Sequence, residues 1–348
     1  METENDEDPA APLGIRSSTG DARKAESGTR DPLPSRPRIL VIRGGAIGDF
    51  ILTLPAIRLL RESVAGCHLE VLGYPGIMDL AMTAGIADSV RSLEHRTMAP
   101  LFAKSAKIDE SLAGYLRSFN VVVSYLYDPD GFFRSSMDRV GVRTFVEASH
   151  RVEDGMGHAA EQLARPLQRL AMFLDDPLPR LTPVPVSDAS DAPLIGIHPG
   201  SGSTRKNWLV AGWSRLGREI ASAFPSARLG LITGEAEQER GTTDGIRSAW
   251  AGLNVRHFDA VPLPELARHL AGCRAFIGHD SGISHLAAAC GTPCLLFFGP
   301  TDPATWAPRN EGVSVLRAPD GDLAALAFDE AWPAVQAFLE SKITQRAA

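Results

Sequence analysis

The sequence is short of what would tie it to a membrane, a nucleic acid or a disulfide framework. No apolar run approaches the roughly 18 residues that a membrane-spanning helix requires. The opening segment Met1-Glu2-Thr3-Glu4-Asn5-Asp6-Glu7-Asp8 is acidic where a secretory signal carries basic residues. These two absences predict a cytoplasmic chain whose contact with a membrane, if any, is peripheral and made from the cytoplasmic face. A basic excess is also missing: 35 Lys and Arg stand against 42 Asp and Glu, for a net charge of −7. A general nucleic-acid binder needs a cationic face to meet the phosphate backbone, so that class is excluded, whereas a local basic pocket for one nucleotide is not. The four cysteines, Cys67, Cys273, Cys290 and Cys294, form no Cys-x-x-Cys pair and no Cys/His cluster with zinc spacing. Reduced, buried thiols are the expectation.

What is present is the composition of an ordinary globular protein, 44% hydrophobic and 22% charged over 348 residues. That length predicts two domains. Residues 1–37 are rich in Pro, Gly, Ser and mixed charge, cannot bury enough apolar surface to offset their ordering, and read as a disordered tail. From Arg38 short β-branched runs alternate with helical periodicity. Strands are predicted at Arg38–Ile42, His68–Leu72, Val90–Leu93, Asn120–Ser124 and Val142–Val146. A helix is predicted over Asp49–Glu62, where Phe50, Ile51, Leu54, Ile57 and Leu60 share one face. A proline-punctuated stretch from Asp175 to Pro193 separates this half from a second with the same alternation. There, strands are predicted at Leu194–Ile197, Ala227–Ile232, Asn254–Arg256, Ala275–Ile277 and Pro293–Phe298, with helices at Val210–Phe224, Pro264–Ala271 and Gly282–Cys290. The boundaries are 38–185 and 186–325, with residues 326–348 holding a final helix at Phe328–Ile343. Such βαβ alternation implies two mostly parallel sheets, with ligands at the carboxyl ends of their strands.

Three strand-to-helix segments carry the chemistry. In Arg43-Gly44-Gly45-Ala46-Ile47-Gly48-Asp49, the glycines Gly44, Gly45 and Gly48 permit close backbone approach ahead of a helix N-terminus. Neither the dinucleotide fingerprint nor the Walker loop is present. Asp49 is either a helix-start dipole partner or a general base facing a cleft. The second segment, His198-Pro199-Gly200-Ser201-Gly202-Ser203-Thr204-Arg205-Lys206-Asn207-Trp208, offers exposed amides, the hydroxyls of Ser203 and Thr204, and the cations Arg205 and Lys206. It is either a solvated surface loop or a diphosphate cradle. The third runs from Gly278-His279-Asp280-Ser281-Gly282 into Ile283-Ser284-His285 and an alanine-rich helix. Either the free N–H groups and His285 bind an anion, or Asp280 is only an N-cap and His285 a core histidine. A serine-hydrolase elbow is excluded because His279 and Ile283 stand where glycines belong.

Two acidic patterns are less specific. Asp128-Pro129-Asp130 has the spacing of a metal-binding Asp-x-Asp pair, but acids around a proline are ordinary turn chemistry, which is the favoured reading. Glu235 and Glu237, after Thr233-Gly234, either accept from ribose hydroxyls or begin a solvated helix.

Taken together, these segments resemble glycosyltransferase family 9, the ADP-heptose:lipopolysaccharide heptosyltransferase family. The matching residues are Gly44 to Asp49 with Leu54-Pro55, His198-Pro199-Gly200 with Lys206-Asn207-Trp208, and Asp280-Ser281-Gly282 with His285 and Ala287-Ala288. Gly299-Pro300-Thr301-Asp302-Pro303 with Trp306 extends the match, which runs from Arg38 to Pro308. The resemblance implies a GT-B fold, an α/β architecture of two Rossmann-like domains facing across a cleft, with acceptor on the first and donor on the second. It also implies an inverting, metal-independent glycosyltransferase with no cofactor. A nucleotide-diphosphate sugar such as ADP-heptose would be the donor, and a lipid-linked or core oligosaccharide the acceptor. By the same resemblance Asp49 is the base, Lys206 holds the donor phosphates, and Asp280, Ser281, Gly282 and His285 form the donor motif. One of Glu235 and Glu237 matches the ribose-binding acid, and the final helix packs back across the domains. The rival classes are a sugar-nucleotide epimerase, a metal-dependent transferase using Asp128 and Asp130, and a non-catalytic nucleotide-sugar binder.

Overall fold

A computed structural model describes residues 16–17, 36–186, 191–235, 237, 241 and 243–343 of the chain. It contains two six-stranded sheets. The first is built from β1 (Arg16–Ser17), β2 (Arg38–Arg43), β3 (His68–Gly73), β4 (Ser89–Ser92), β5 (Val121–Ser124) and β6 (Phe145–Glu147). Their order is β1-β4-β3-β2-β5-β6, parallel except for β1, which pairs antiparallel with β4. Of the tail 1–37, only this short strand and residues 36–37 are described; the rest of that expectation lies outside the described residues. The second sheet comprises β7 (Leu194–His198), β8 (Arg228–Thr233), β9 (Val255–Asp259), β10 (Ala275–His279), β11 (Cys294–Phe298) and β12 (Val313–Arg317). Its order is β12-β11-β10-β7-β8-β9, parallel throughout.

The central strands read as unbroken apolar runs because helices cover both faces of a parallel sheet. Ile39, Leu40, Val41 and Ile42 are accordingly all fully buried, as are Phe276 and Ile277 of β10. β12 was not anticipated. In Val313-Ser314-Val315-Leu316-Arg317, Val313 and Leu316 are only partly buried and Val315 is exposed, as befits an edge strand with one neighbour.

Helix α1 (Ile47–Ser63) follows β2 and buries Phe50, Ile51, Leu54, Ile57 and Leu60. It packs against the helix Gly282–Ala289, which follows β10 in the other domain. The two belong to one apolar core that runs through both domains without a break, joining Phe50, Ile51 and Leu54 to Leu286, Ala287 and Ala288. Small residues on the second helix allow this close approach. A second core lies wholly within the C-terminal domain, around Trp213, Trp250 and Phe297. The final helix, Phe328–Ile343, was expected to cross back over both domains; its buried face, Ala331, Val335, Phe338 and Leu339, joins this second core. All four cysteines carry free thiols, with Cys67, Cys273 and Cys294 buried. Among the described residues no helix is long and apolar enough to cross a membrane.

Candidate functional site

A cavity of about 980 Å³ lies where the two domains meet. Its wall includes Ala46 to Asp49 from the N-terminal domain, and Ser203, Lys206, Glu235, Glu237, Asp280 to Gly282 and His285 from the C-terminal domain. Residues separated by more than 200 positions thus share one wall, because strand ends in both parallel sheets point at it.

On the N-terminal side, β2 ends at Arg43 and the chain turns through Gly44-Gly45 into α1. Gly45 has φ of +98°, and a side chain there would meet the Asp49 carboxylate at 2.7 Å. Both conditions favour glycine. Oδ2 of Asp49 accepts from the Ala46 amide at 3.0 Å, and Oδ1 lies 3.6 Å from Nη2 of Arg43. The carboxylate is therefore oriented on two sides yet remains 36% exposed toward the cavity, while Arg43 is buried. The helix-start role and a cleft-facing role coexist in one side chain.

On the C-terminal side, Ser281 rather than Asp280 caps the helix Gly282–Ala289: its Oγ accepts from the Ser284 amide. Asp280 is left as a charged hub. Oδ2 accepts from Nζ of Lys206 and from Oγ1 of Thr301, both at 2.7 Å, and Oδ1 lies 3.8 Å from Nε2 of His285. Burial pushes the Asp280 carboxyl upward, but its His285 and Lys206 partners outweigh this and hold it well below the ordinary carboxylate range. Lys206 remains partly exposed beside the start of the helix Gly282–Ala289, an arrangement that can accommodate an anion.

Beneath this surface, two histidines are buried and neutral. Burial drives His198 down to about 4, against the raising effect of Glu237. His279 is driven down to about 3, first by burial and then by the proximity of His198. Nε2 of His279 accepts from the Trp208 amide at 2.8 Å, which anchors the Lys206 loop to the end of β10. Protonation there would set one N–H against another.

Not every candidate reaches the cavity. Gly44 and Gly45 shape the turn without lining it, and Thr204 and Arg205 are exposed outside its wall. Of the two acids, Glu235 is exposed, whereas Glu237 is half-buried and accepts from the Gly234 amide at 2.8 Å. Asp128 spends both oxygens on the amides of Phe133 and Arg134 at the start of the helix Phe132–Val140, which is turn chemistry. Sequence reasoning missed the apolar end of the cavity, formed by Phe258, Val261, Pro262, Leu263 and Leu266. These residues look like ordinary core, and only the carboxyl-terminal position of Phe258 on β9 carried a signal. It also missed Arg43, whose burial cannot be read from its spacing.

The family model described as glycosyltransferase family 9 (heptosyltransferase) matches residues 143–327, more than half of the chain. Lipopolysaccharide heptosyltransferase 1 of Pseudomonas aeruginosa is 28% identical over 76% of this chain and 79% of its own length. The Escherichia coli O18:K1:H7 protein of the same name is 24% identical over 89% of this chain and 99% of its own. Among solved structures, E. coli ADP-heptose heptosyltransferase II superposes with a TM-score of 0.69 at 18% identity, covering 89% of this chain and 100% of that one. An E. coli heptosyltransferase with bound ADP superposes with a TM-score of 0.65 at 19% identity, covering 86% and 99%. The two facing parallel sheets are thus a GT-B fold, and the chain belongs to glycosyltransferase family 9 and is a glycosyltransferase.

Proposed function

We propose that this enzyme transfers heptose from ADP-heptose to a hydroxyl of a lipopolysaccharide-core or related glycan, with inversion and without a metal ion. The observation that carries the reading is the juxtaposition of Asp49 with the Lys206–Asp280–His285 group on one cavity wall. Similarity to heptosyltransferases, one of them solved in two complexes named for ADP and ADP-2-deoxy-2-fluoro heptose, supports the choice of donor.

In this mechanism Asp49 accepts the proton of the acceptor hydroxyl as its oxygen attacks the anomeric carbon. The bond from that carbon to the diphosphate oxygen breaks on the opposite face, and ADP departs with the electron pair. Charge growing on the diphosphate is met by Lys206, by the Ser203 hydroxyl and by the amides opening the helix Gly282–Ala289. Asp280, itself bonded by Thr301, holds Lys206 in place for that role, and the apolar end at Phe258 and Leu266 receives the base. Glu237, fixed by the Gly234 amide beside β8, is the better placed of the two acids to accept from ribose. The enzyme acts at the cytoplasmic face of the membrane, touching it only peripherally to reach a lipid-linked acceptor.

The test is Asp49→Asn. ADP release is expected to fall at least a hundredfold while ADP-heptose affinity measured by calorimetry stays near wild type. Near-normal turnover would remove Asp49 from the role of base. Activity is expected to survive EDTA and Asp128→Ala; loss under both would favour a metal-dependent transferase. Preference for ADP- over GDP- and UDP-sugars in thermal shift checks the donor.

A further inference from the structure

The cavity wall follows the strand order of the second sheet. At the carboxyl ends of β9 and β8 stand Phe258, Ala260, Thr233 and Gly234; past β7, Ser203 and Lys206; past β10, Asp280 to Gly282. A nucleotide laid along this edge has its base against the apolar end and its diphosphate at Lys206. The next strand in line is β11, and the residue it contributes to the wall is Trp306, in the short helix Pro303–Trp306. This is the position that a sugar beyond the diphosphate would reach.

Trp306 is set in a particular way. Its Nε1 donates to Oδ1 of Asp154 at 2.9 Å, and Asp154 belongs to the N-terminal domain. The one polar atom of the indole is therefore engaged, and the half-buried ring offers the cavity carbon surface alone. This helix and the residues just after it are pinned by three further bonds between the domains. Gly155 N donates to Oγ1 of Thr305 at 3.4 Å, Nε2 of His158 lies 3.0 Å from the Ala307 carbonyl, and Nη1 of Arg309 donates to Glu161 at 2.8 Å. Just ahead of the helix, Thr301 is bonded to Asp280. The ring is thus tied both to the diphosphate group and to the acceptor domain.

We propose that Trp306 is the stacking wall for the sugar ring of the donor, and that Asp154 positions it from the opposite domain. This assignment rests on the nucleotide-sugar reading above. An indole face suits the C–H face of a pyranose, which is apolar and shape-complementary to a flat ring. Because Asp154 holds the ring only when the domains are in register, sugar recognition is coupled to their docking.

The experiment is calorimetric titration of ADP and of ADP-heptose into wild type, Trp306→Ala, Trp306→Phe and Asp154→Ala. Trp306→Ala is expected to bind ADP as wild type does and ADP-heptose about fivefold to tenfold more weakly. Trp306→Phe keeps a ring but loses the bond to Asp154, so its ADP-heptose affinity should match that of Asp154→Ala and exceed that of Trp306→Ala. Asp154→Ala should weaken ADP-heptose severalfold and leave ADP unchanged. If Trp306→Ala does not fold, the other two variants decide. Equal losses for both ligands, or none, would overturn the stacking assignment. A wild-type protein that binds neither ligand would instead overturn the nucleotide-sugar reading, and this assignment with it.

Discussion

Gly48 and Gly282 touch across the domain interface. A side chain on Gly282 would fall 2.9 Å from the Gly48 amide nitrogen and 3.0 Å from Cβ of Ile47, and one on Gly48 would fall 3.4 Å from Cα of Gly282. Two helix N-termini, one behind Asp49 and one behind Ser281, are thereby brought to the same cavity. The obstacles facing Gly282 are backbone and a β-carbon, neither of which can swing aside.

Gly282→Ala is therefore expected to force the helices apart, costing about 1–3 kcal/mol of stability as overpacking does. Turnover should drop on the order of tenfold, because the base and the leaving group separate. Gly114→Ala is the control: it sits in the helix Glu110–Arg117 with nothing within 4 Å and should be neutral or slightly stabilising. Chemical denaturation and initial rates on both variants check the pair.

Arg43 makes Asp49 a structural partner as well as the proposed base. Among the described residues Asp49 is the one carboxylate within 4 Å of the buried Arg43 guanidinium. Asp49→Asn should lower stability, but by less than the ~3–5 kcal/mol typical of a fully buried pair, since Asp49 is partly solvated. Arg43→Met in the same background should recover part of that loss without restoring activity. An additive, further loss in the double variant would show that the two residues are not coupled.

Lys206→Ala removes a charge-assisted contact, and ADP affinity is expected to fall roughly 10–100-fold. The kcat with saturating donor should also fall, because charge on departing ADP grows in the transition state. Calorimetry and steady-state kinetics separate the two effects.

The buried histidines set an acid limit. His198, lowered to about 4, and His279, lowered to about 3, bind protons in the unfolded chain near its ordinary value of 6.5 but not in the folded one. The unfolded state holds more protons below pH 6.5, so stability falls as pH drops from there toward 4 and is level above it. Asp280, depressed in the fold, adds loss only at still lower pH, as it protonates. The His198 part is on the order of 3 kcal/mol. Melting temperature against pH should show this slope, and His198→Gln should flatten it.

Much of the fold was legible because parallel strands buried on both faces announce themselves. Arg38–Ile42 and Ala275–Ile277 needed only the glycines that follow them to mark where ligand-facing turns begin. The final helix was bounded correctly, yet its partner surface was not readable, since an apolar stripe fits any core. β12 escaped because an edge strand alternates weakly and borders loops. In the site, the hydroxyl-rich loop looked uniform from Ser203 to Lys206. Backbone geometry then turned Lys206 inward and left Thr204 and Arg205 exposed.

By itself the sequence determined the local devices: glycine turns at Gly44-Gly45, a helix start after Asp280-Ser281, a cation at Lys206 and an acid at Asp49. Those follow from backbone conformation and charge within a few residues. Tertiary structure alone decided which devices meet. Lys206 reaches Asp280 across 74 positions, and Trp306 reaches Asp154 across 152. The reason is geometric: strand order in the second sheet sets the sequence of groups along the cavity, and two glycines without side chains let the domains close on it.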